Sequence, residues 1–232
     1  ALSWEPIVDG IKEAARLIVT ADSEVVEVAS RSLQVSLLAT LTATFIGLPI
    51  GVAIGVRTFR GKFLVRALFN TLLGMPTVSL GLFLYVLMSR SGPLGSLNLL
   101  YTPEGIALGE AVLVTPIVIT LTENAVSSKE TQVKDLVRTL GASELQTSLA
   151  VLREASRGVA LAIIASFNRA FSELGIAMMI GANIRGVTRV LTTAISLETS
   201  KGEIGLSFAL SFILVGIVLT LNLLTGLFQR ET

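Results

Sequence analysis

Five apolar runs, near residues 33–56, 67–88, 104–122, 157–181 and 204–228, most narrowly restrict what this 232-residue chain can become. Each is long enough to cross about 30 Å of hydrocarbon at about 1.5 Å per helical residue. In lipid a helix satisfies its backbone hydrogen bonds within its own segment, so runs of this length read as spans. Apolar residues make up 52% of the chain and charged ones 15%, with a mean hydropathy of +0.77. That balance excludes a soluble globular domain. The expected fold is all-α, a polytopic transmembrane helix bundle of about five spans.

Residues 1–28 read as a separate N-terminal segment, external or interfacial, ahead of one membrane domain over 29–228. Ile7, Val8, Ile11, Ala15 and Ile18 make an apolar face opposite Asp9, Lys12, Glu13 and Arg16. Such an amphipathic helix either lies in the interface plane or packs on the rim of a neighbour. Asp22 or Ser23 suits the cap of a further helix running through Val25, Val26 and Val28 into the first span. Residues 1–32 are acidic and lack an apolar h-region, so no cleavable signal peptide is expected. Pro49, Pro76 and Pro116 fall within the first three spans, where each frees a carbonyl and is expected to kink its helix.

Arg57, Arg60, Lys62 and Arg66 crowd the connection after the first span with no acid among them, which places that loop in the cytoplasm. Counting outward, the N-terminus is external, the loop around Asp135 is internal and the C-terminus is cytoplasmic. Over all connections the Lys/Arg bias leans the same way, but modestly. The net charge of +1 gives no electrostatic case for nucleic acid. The sequence has no cysteine and no histidine, which removes disulfides, thiolate or imidazole metal sites, and catalysis by those groups. Gly55 to Gly61-Lys62 approaches a phosphate loop, but it has five intervening residues instead of four. Phe63 also stands where Ser or Thr would hold magnesium. No catalytic residue, metal site or cofactor is expected in this chain. ATP-driven work would need ATP and magnesium held on a second polypeptide.

Polar residues 128–156 separate the third and fourth spans. Val133, Leu136, Val137 and Leu140 share one helical face, and Gly141 supplies the stop expected just past a helix end. Ser143 and Gln146 have the S-x-x-Q form of a capping box, which starts a second helix striped by Leu145, Leu149 and Leu152. Two amphipathic helices joined at Gly141-Ala142 either present a docking element or pack as an ordinary hairpin on their own bundle. The pattern resembles the cytoplasmic loop of ATP-binding-cassette importer permeases, whose signature is roughly E-A-A, three residues, Gly, then nine residues to I-x-L-P. Asp135-Leu136-Val137 stand at the E-A-A, and Gly141-Ala142-Ser143 completes a typical G-A-S. Arg153-Glu154 replace the closing Leu-Pro. The resemblance implies a two-helix cytoplasmic coupling loop in which Asp135, Gly141, Ala142, Ser143, Leu145, Leu149 and Leu152 serve contact with a separate ATPase. Burying the three leucines contributes about 1.5–3 kcal/mol each. Association costs about 4–15 kcal/mol, so flanking contacts must help.

Arg169 and Glu173 lie near the middle of the fourth span, in SFNRAFSELG, where either charge costs about 2.5–3.5 kcal/mol on insertion scales. At i and i+4 they share a helix face and can pair. Either Asn168 and Arg169 line an anion path in which Glu173 holds the arginine, or the two charges lock this helix to a neighbour. Arg185 and Arg189 fall at the external mouth under this topology, placed to attract a divalent anion or to dock an acidic binding protein. Thr188, Thr192, Thr193 and Ser196 stripe a helical segment with Val187, Leu191 and Ile195, offering hydroxyl donors or simply a wet polar face. The stretch R-A-F-S-E-L-G resembles the R-A-x-x-E-x-G element of oxyanion importer permeases. Gly181 to Glu203, with its N-I-R-G, T-R-V-L-T-T-A-I and L-E-T-S-K-G pieces, is similar to the tungstate-type permeases of that class. With R-S-L-Q-V-S-L at the first span, the resemblance runs from about Arg31 to the C-terminus.

That resemblance implies a multi-pass permease subunit in the plasma (inner) membrane, without a nucleotide site of its own. It would work as a homodimer, with a cytoplasmic ATP-binding subunit at the loops and an external binding protein delivering tungstate, or alternatively molybdate or sulfate. Two readings of other classes stand beside it. One is an ATP-independent secondary transporter or channel for anions, in which Arg169 and Glu173 couple or select; the absence of an inverted repeat counts against it. The other is a membrane anchor that recruits a cytoplasmic enzyme through the loop.

Overall fold

The structure is a computed structural model that describes residues 4–230. Within that stretch the side chains of residues 6, 130–132, 134, 135, 138, 224, 225 and 227–230 lie outside the described residues. The order of elements is α1 (Glu5–Val19), α2 (Ser23–Val56), α3 (Lys62–Leu72), α4 (Thr77–Met88), a 3-10 turn (Gly95–Leu97), α5 (Pro103–Thr139), α6 (Glu144–Glu154), α7 (Ser156–Phe171), α8 (Gly175–Gly181), α9 (Leu191–Lys201) and α10 (Ile204–Arg230). Among the described residues there is no strand. Among the described residues three helices are long and apolar enough to span a membrane, and the count rises to five if α3 with α4, and α7 with α8, each make one crossing.

Those two interrupted crossings are where the helices depart from the apolar runs. The run at 67–88 splits because Pro76 lacks an N–H and pushes Met75 away from helical dihedrals. Helix α3 therefore stops at Leu72 and α4 begins at Thr77. The run at 157–181 splits between Phe171 and Gly175. Pro49 and Pro116, by contrast, sit inside uninterrupted α2 and α5. The start of α2 falls where the capping pattern puts it. Asp22 Oδ1 accepts hydrogen bonds from the backbone N–H of Glu24 and of Val25, each at 3.1 Å. From there α2 runs unbroken past residue 28.

The helices gather into two compact units. One comprises Ala1–Ser36, Thr77–Gly109 and Phe171–Thr232. In it α1 packs along α10 rather than standing alone, and α4 packs on α8. Gly81 allows the second contact: a Cβ there would lie 3.1 Å from Met179 Cβ and 3.3 Å from Ile176 Cα. Ile106, Ile176, Ile180 and Leu191 are fully buried at its centre.

The other unit comprises Leu37–Pro76 and Glu110–Ala170. Its seam is a run of glycines four residues apart on α2, namely Gly47, Gly51 and Gly55. A Cβ on Gly51 would sit 2.8 Å from the carbonyl oxygen of Ile119, and one on Gly55 would sit 2.5 Å from Val126 Cγ1. Small residues at this spacing let two helix backbones approach in lipid, where no hydrophobic force favours one apolar neighbour over another. Below the seam Val56, Val126, Val151 and Ala155 close a buried cluster that ties α6 to α2 and α5.

Candidate coupling and transport sites

The candidate coupling segment is built by local rules. Helix α5 ends at Thr139, and Gly141 then takes φ +77°, a left-handed turn that a side chain resists. Ala142 N–H returns to the Val137 carbonyl at 3.1 Å, satisfying an end carbonyl of α5. Ser143 is extended at φ −69° and ψ 167°, and caps α6. Its backbone N–H donates to Gln146 Oε1 at 2.8 Å, while its Oγ accepts from the Gln146 N–H at 3.3 Å. The capping box expected from S-x-x-Q is thus complete.

Burial then sorts the two faces of α6. Thr147 and Val151 point inward and are buried. Leu145 is 71% exposed and Leu149 57% exposed on the opposite side, with Leu152 half-buried. Beside them lies a recess of about 640 Å³ lined by Val56, Arg57, Thr58 and Phe59 from the α2–α3 connection and by Glu144, Leu145, Thr147 and Ser148 from α6. Arg153 and Glu154 are exposed, and the turn from α6 into α7 is made by the single buried residue Ala155. No proline is needed there. Ala142 is half-buried. The side chain of Asp135 lies outside the described residues.

Two residues of the basic connection serve this unit internally. Lys62 Nζ donates to the carbonyls of Gly55 at 3.1 Å and Arg57 at 3.0 Å, closing the C-terminal end of α2, where a cation also suits the helix dipole. Arg66 pairs with the buried carboxylate of Glu123 and donates to Ser127 Oγ at 2.9 Å. Sequence reasoning passed over Glu123. Its signal is an acid immediately past the end of the apolar run 104–122, where a partner is called for near lipid.

The residues expected along the pathway belong to different elements. Asn168 and Arg169 are half-buried on α7, whereas Glu173 lies beyond the end of that helix. The i, i+4 helix-face relation read from the sequence therefore does not hold, because α7 ends at Phe171. Glu173 is buried and its Oε1 accepts the N–H of Ile176 at 3.1 Å, so it holds the first turn of α8. None of Asn168, Arg169 and Glu173 is without a partner.

Arg185 and Arg189 do come together, on a residue the sequence did not single out. Arg185 Nη2 meets Glu24 Oε2 at 2.5 Å, and Arg189 Nη1 meets Oε1 of the same carboxylate at 3.1 Å. Arg31, paired with Glu27 one turn earlier, donates to the carbonyls of Arg189 at 3.2 Å and Gly186 at 3.0 Å. Ser32 Oγ accepts the N–H of Leu191 at 2.8 Å. The threonines expected to stripe a helix are mostly used on backbone instead. Thr188 precedes α9 and donates to the Gly181 carbonyl at 2.5 Å. Thr192 donates to the Glu173 carbonyl at 2.8 Å, and Thr193 accepts the Val190 N–H at 3.0 Å.

Residues 47–232 match the family of binding-protein-dependent transport system inner membrane components. The chain belongs to that family. The permease is 34% identical over 227 residues to the tungstate uptake system permease protein TupB of Peptoclostridium acidaminophilum, covering 98% of this chain and 100% of that one. It is 38% identical over 224 residues to the TupB protein of Campylobacter jejuni, covering 97% and 94%. Its fold matches the inward-facing MetNI methionine ABC transporter with a TM-score of 0.71, at 19% identity, over 90% of the permease and 95% of that chain. The all-α bundle and the importer-permease resemblance read from the sequence both stand.

Proposed function

We propose that the permease is the membrane subunit of an ATP-driven importer for a tetrahedral oxyanion, with tungstate as its substrate. The observation that carries the coupling part is α6: capped at Ser143 and seated through Val151, it leaves Leu145 and Leu149 exposed beside an open recess. That is the arrangement of a helix that finishes its own packing and still has apolar surface for a partner. The partner is a cytoplasmic ATPase subunit that supplies ATP and magnesium. Contacts from Asp135 to Leu152, with the recess walls from Val56 to Phe59, add to what the leucines alone contribute. Near full-length kinship with two tungstate uptake permeases supports the substrate.

Two copies of the permease enclose one pathway in the inner membrane, with the N-terminus external and the C-terminus cytoplasmic. Asn168, Arg169, Glu173, Arg185 and Arg189 belong to the anion's route, and an external binding protein delivers it. ATP binding moves the docking helices and opens the route outward; release after hydrolysis returns it inward. Such a cycle needs a two-state bundle that both faces bias.

The test is uptake into liposomes carrying the permease, its ATPase and its binding protein, with tungstate, molybdate and sulfate compared. Tungstate uptake that needs all three components and ATP supports the reading. Equal uptake with the ATPase left out would instead identify a secondary transporter or channel.

A further inference from the structure

Glu24 sits where an anion would. Its carboxylate bridges two arginines, one oxygen on each, at 2.5 Å to Arg185 Nη2 and 3.1 Å to Arg189 Nη1. The two arginines differ in surroundings: the Arg185 side chain is 72% exposed and that of Arg189 only 13%. Among the described residues, Arg189 Nε is buried and has no hydrogen-bond partner. A guanidinium carries five N–H donors in a planar fork matched to oxyanions, and leaving one buried without an acceptor is unfavourable. In this bridging arrangement neither Glu24 oxygen reaches Nε, although each could accept a second bond. A tetrahedral oxyanion offers four acceptor oxygens to the same donors.

Space and support are also present. A cavity of about 270 Å³ opens beside Glu24 and Arg189, walled by Leu17, Val25, Val28 and Leu210. The other charges on its lining have partners of their own: Glu13 and Arg16 pair with each other, Glu198 pairs with Lys201, and Asp22 caps the start of α2. The arginine-bearing connection is held in place without Glu24, because Arg31 grips its backbone at Gly186 and Arg189 and Ser32 holds Leu191. Glu24 itself is 42% exposed, so it can swing out to water when displaced.

We infer that Arg185 and Arg189 form a binding site for a tetrahedral oxyanion and that Glu24 is its built-in competitor, occupying the site until a dianion exchanges with it. This rests on the oxyanion reading above and deepens it. The carboxylate lets the permease keep two arginines together without trapping every small anion that passes. A dianion with more acceptor oxygens outcompetes it, and a monocarboxylate such as acetate does not.

The experiment is equilibrium binding of sodium tungstate, sodium sulfate and sodium acetate to the purified full-length permease in nanodiscs, without ATPase or binding protein. Glu24→Gln removes the competitor's charge and is expected to tighten tungstate and sulfate binding at least tenfold, with acetate still the weakest of the three. Adding Arg189→Gln to that variant is expected to abolish the gain. Thermal unfolding and size-exclusion profiles establish that each variant is folded, and Glu24→Ala serves if Glu24→Gln is not. A folded Glu24 variant that binds no oxyanion more tightly than the wild type overturns the inference and leaves the trio a structural tie. So does a variant that, in the three-component uptake, changes only the binding-protein concentration needed for half-maximal rate, which would make the arginines a docking contact. Three-component uptake run alongside keeps the two readings apart. Tungstate transport with no binding change at Glu24 sinks only this site, and tungstate binding without ATP-dependent uptake sinks only the importer.

Discussion

The two ends of α2 are held by opposite means. Toward its C-terminal end, Gly47, Gly51 and Gly55 bring its backbone against α5, with no room for even one added carbon at Gly51 or Gly55. Toward its N-terminal end, Glu24, Arg31 and Ser32 reach the segment from Gly186 to Leu191 through ion pairs and hydrogen bonds, with Glu27 pairing Arg31. A glycine seam works by van der Waals contact, which salt and ligands do not compete with. Charges at a partly exposed edge work by attraction that water, salt and other anions can replace. The first kind of joint suits a part that keeps one arrangement, the second a part that exchanges partners.

The sharpest way to break that contrast is Gly51→Val. Its Cβ would meet the Ile119 carbonyl, a backbone atom that cannot swing aside. Overpacking of this kind costs about 1–3 kcal/mol. A clear drop in the melting temperature in detergent is expected, and an unchanged one would mean that the seam is loose. At the other end Ser32→Ala leaves the buried N–H of Leu191 without its acceptor, at about 1–3 kcal/mol. Amide exchange should speed up from 186 to 191 while the glycine seam stays protected; faster exchange in both would show that the two joints are not independent.

Ser143→Ala tests a third, purely local kind of joint. Losing the cap should weaken α6 by about 0.5–2 kcal/mol. The loss would be read as faster amide exchange over α6 and weaker ATPase retention, with bundle stability kept. Normal retention would show that Leu145 and Leu149 dock without the cap. The smallest effect concerns Glu13 on α1, whose carboxyl is held below the usual range by its hydrogen bond to Arg16. A depressed carboxylate adds stability that is present above its ordinary range and lost as the pH falls through the lowered value. Acidification below that range should fray α1 slightly, visible in amide exchange and absent in Glu13→Gln.

Reading the sequence worked best where the deciding atoms lie within a few residues of one another. Ser143 with Gln146, Gly141 past α5 and Asp22 ahead of α2 all make contacts of this reach, and all fall where the pattern put them. Glu173 did not, because its i, i+4 relation to Arg169 assumed a helix that ends two residues earlier. The glycines at 47, 51 and 55 were legible in their spacing, yet only the approach of α5 gives that spacing its meaning. The spacing of Thr188 and Thr192 suggests donors for a ligand, but the backbone carbonyls of Gly181 and Glu173 take them.

What the sequence by itself determined was the solvent and the local geometry. Runs of apolar residues long enough for a bilayer admit little besides helices, and caps, turns and proline breaks follow from backbone hydrogen bonding nearby. Only the tertiary structure decided which face of α6 turns inward, leaving two leucines outside, and which acid meets Arg185 and Arg189. Glu24 lies more than 150 residues from both arginines in the chain. No periodicity carries information over that distance. The meeting is set by the packing of helices that are, in composition, nearly interchangeable to the lipid around them.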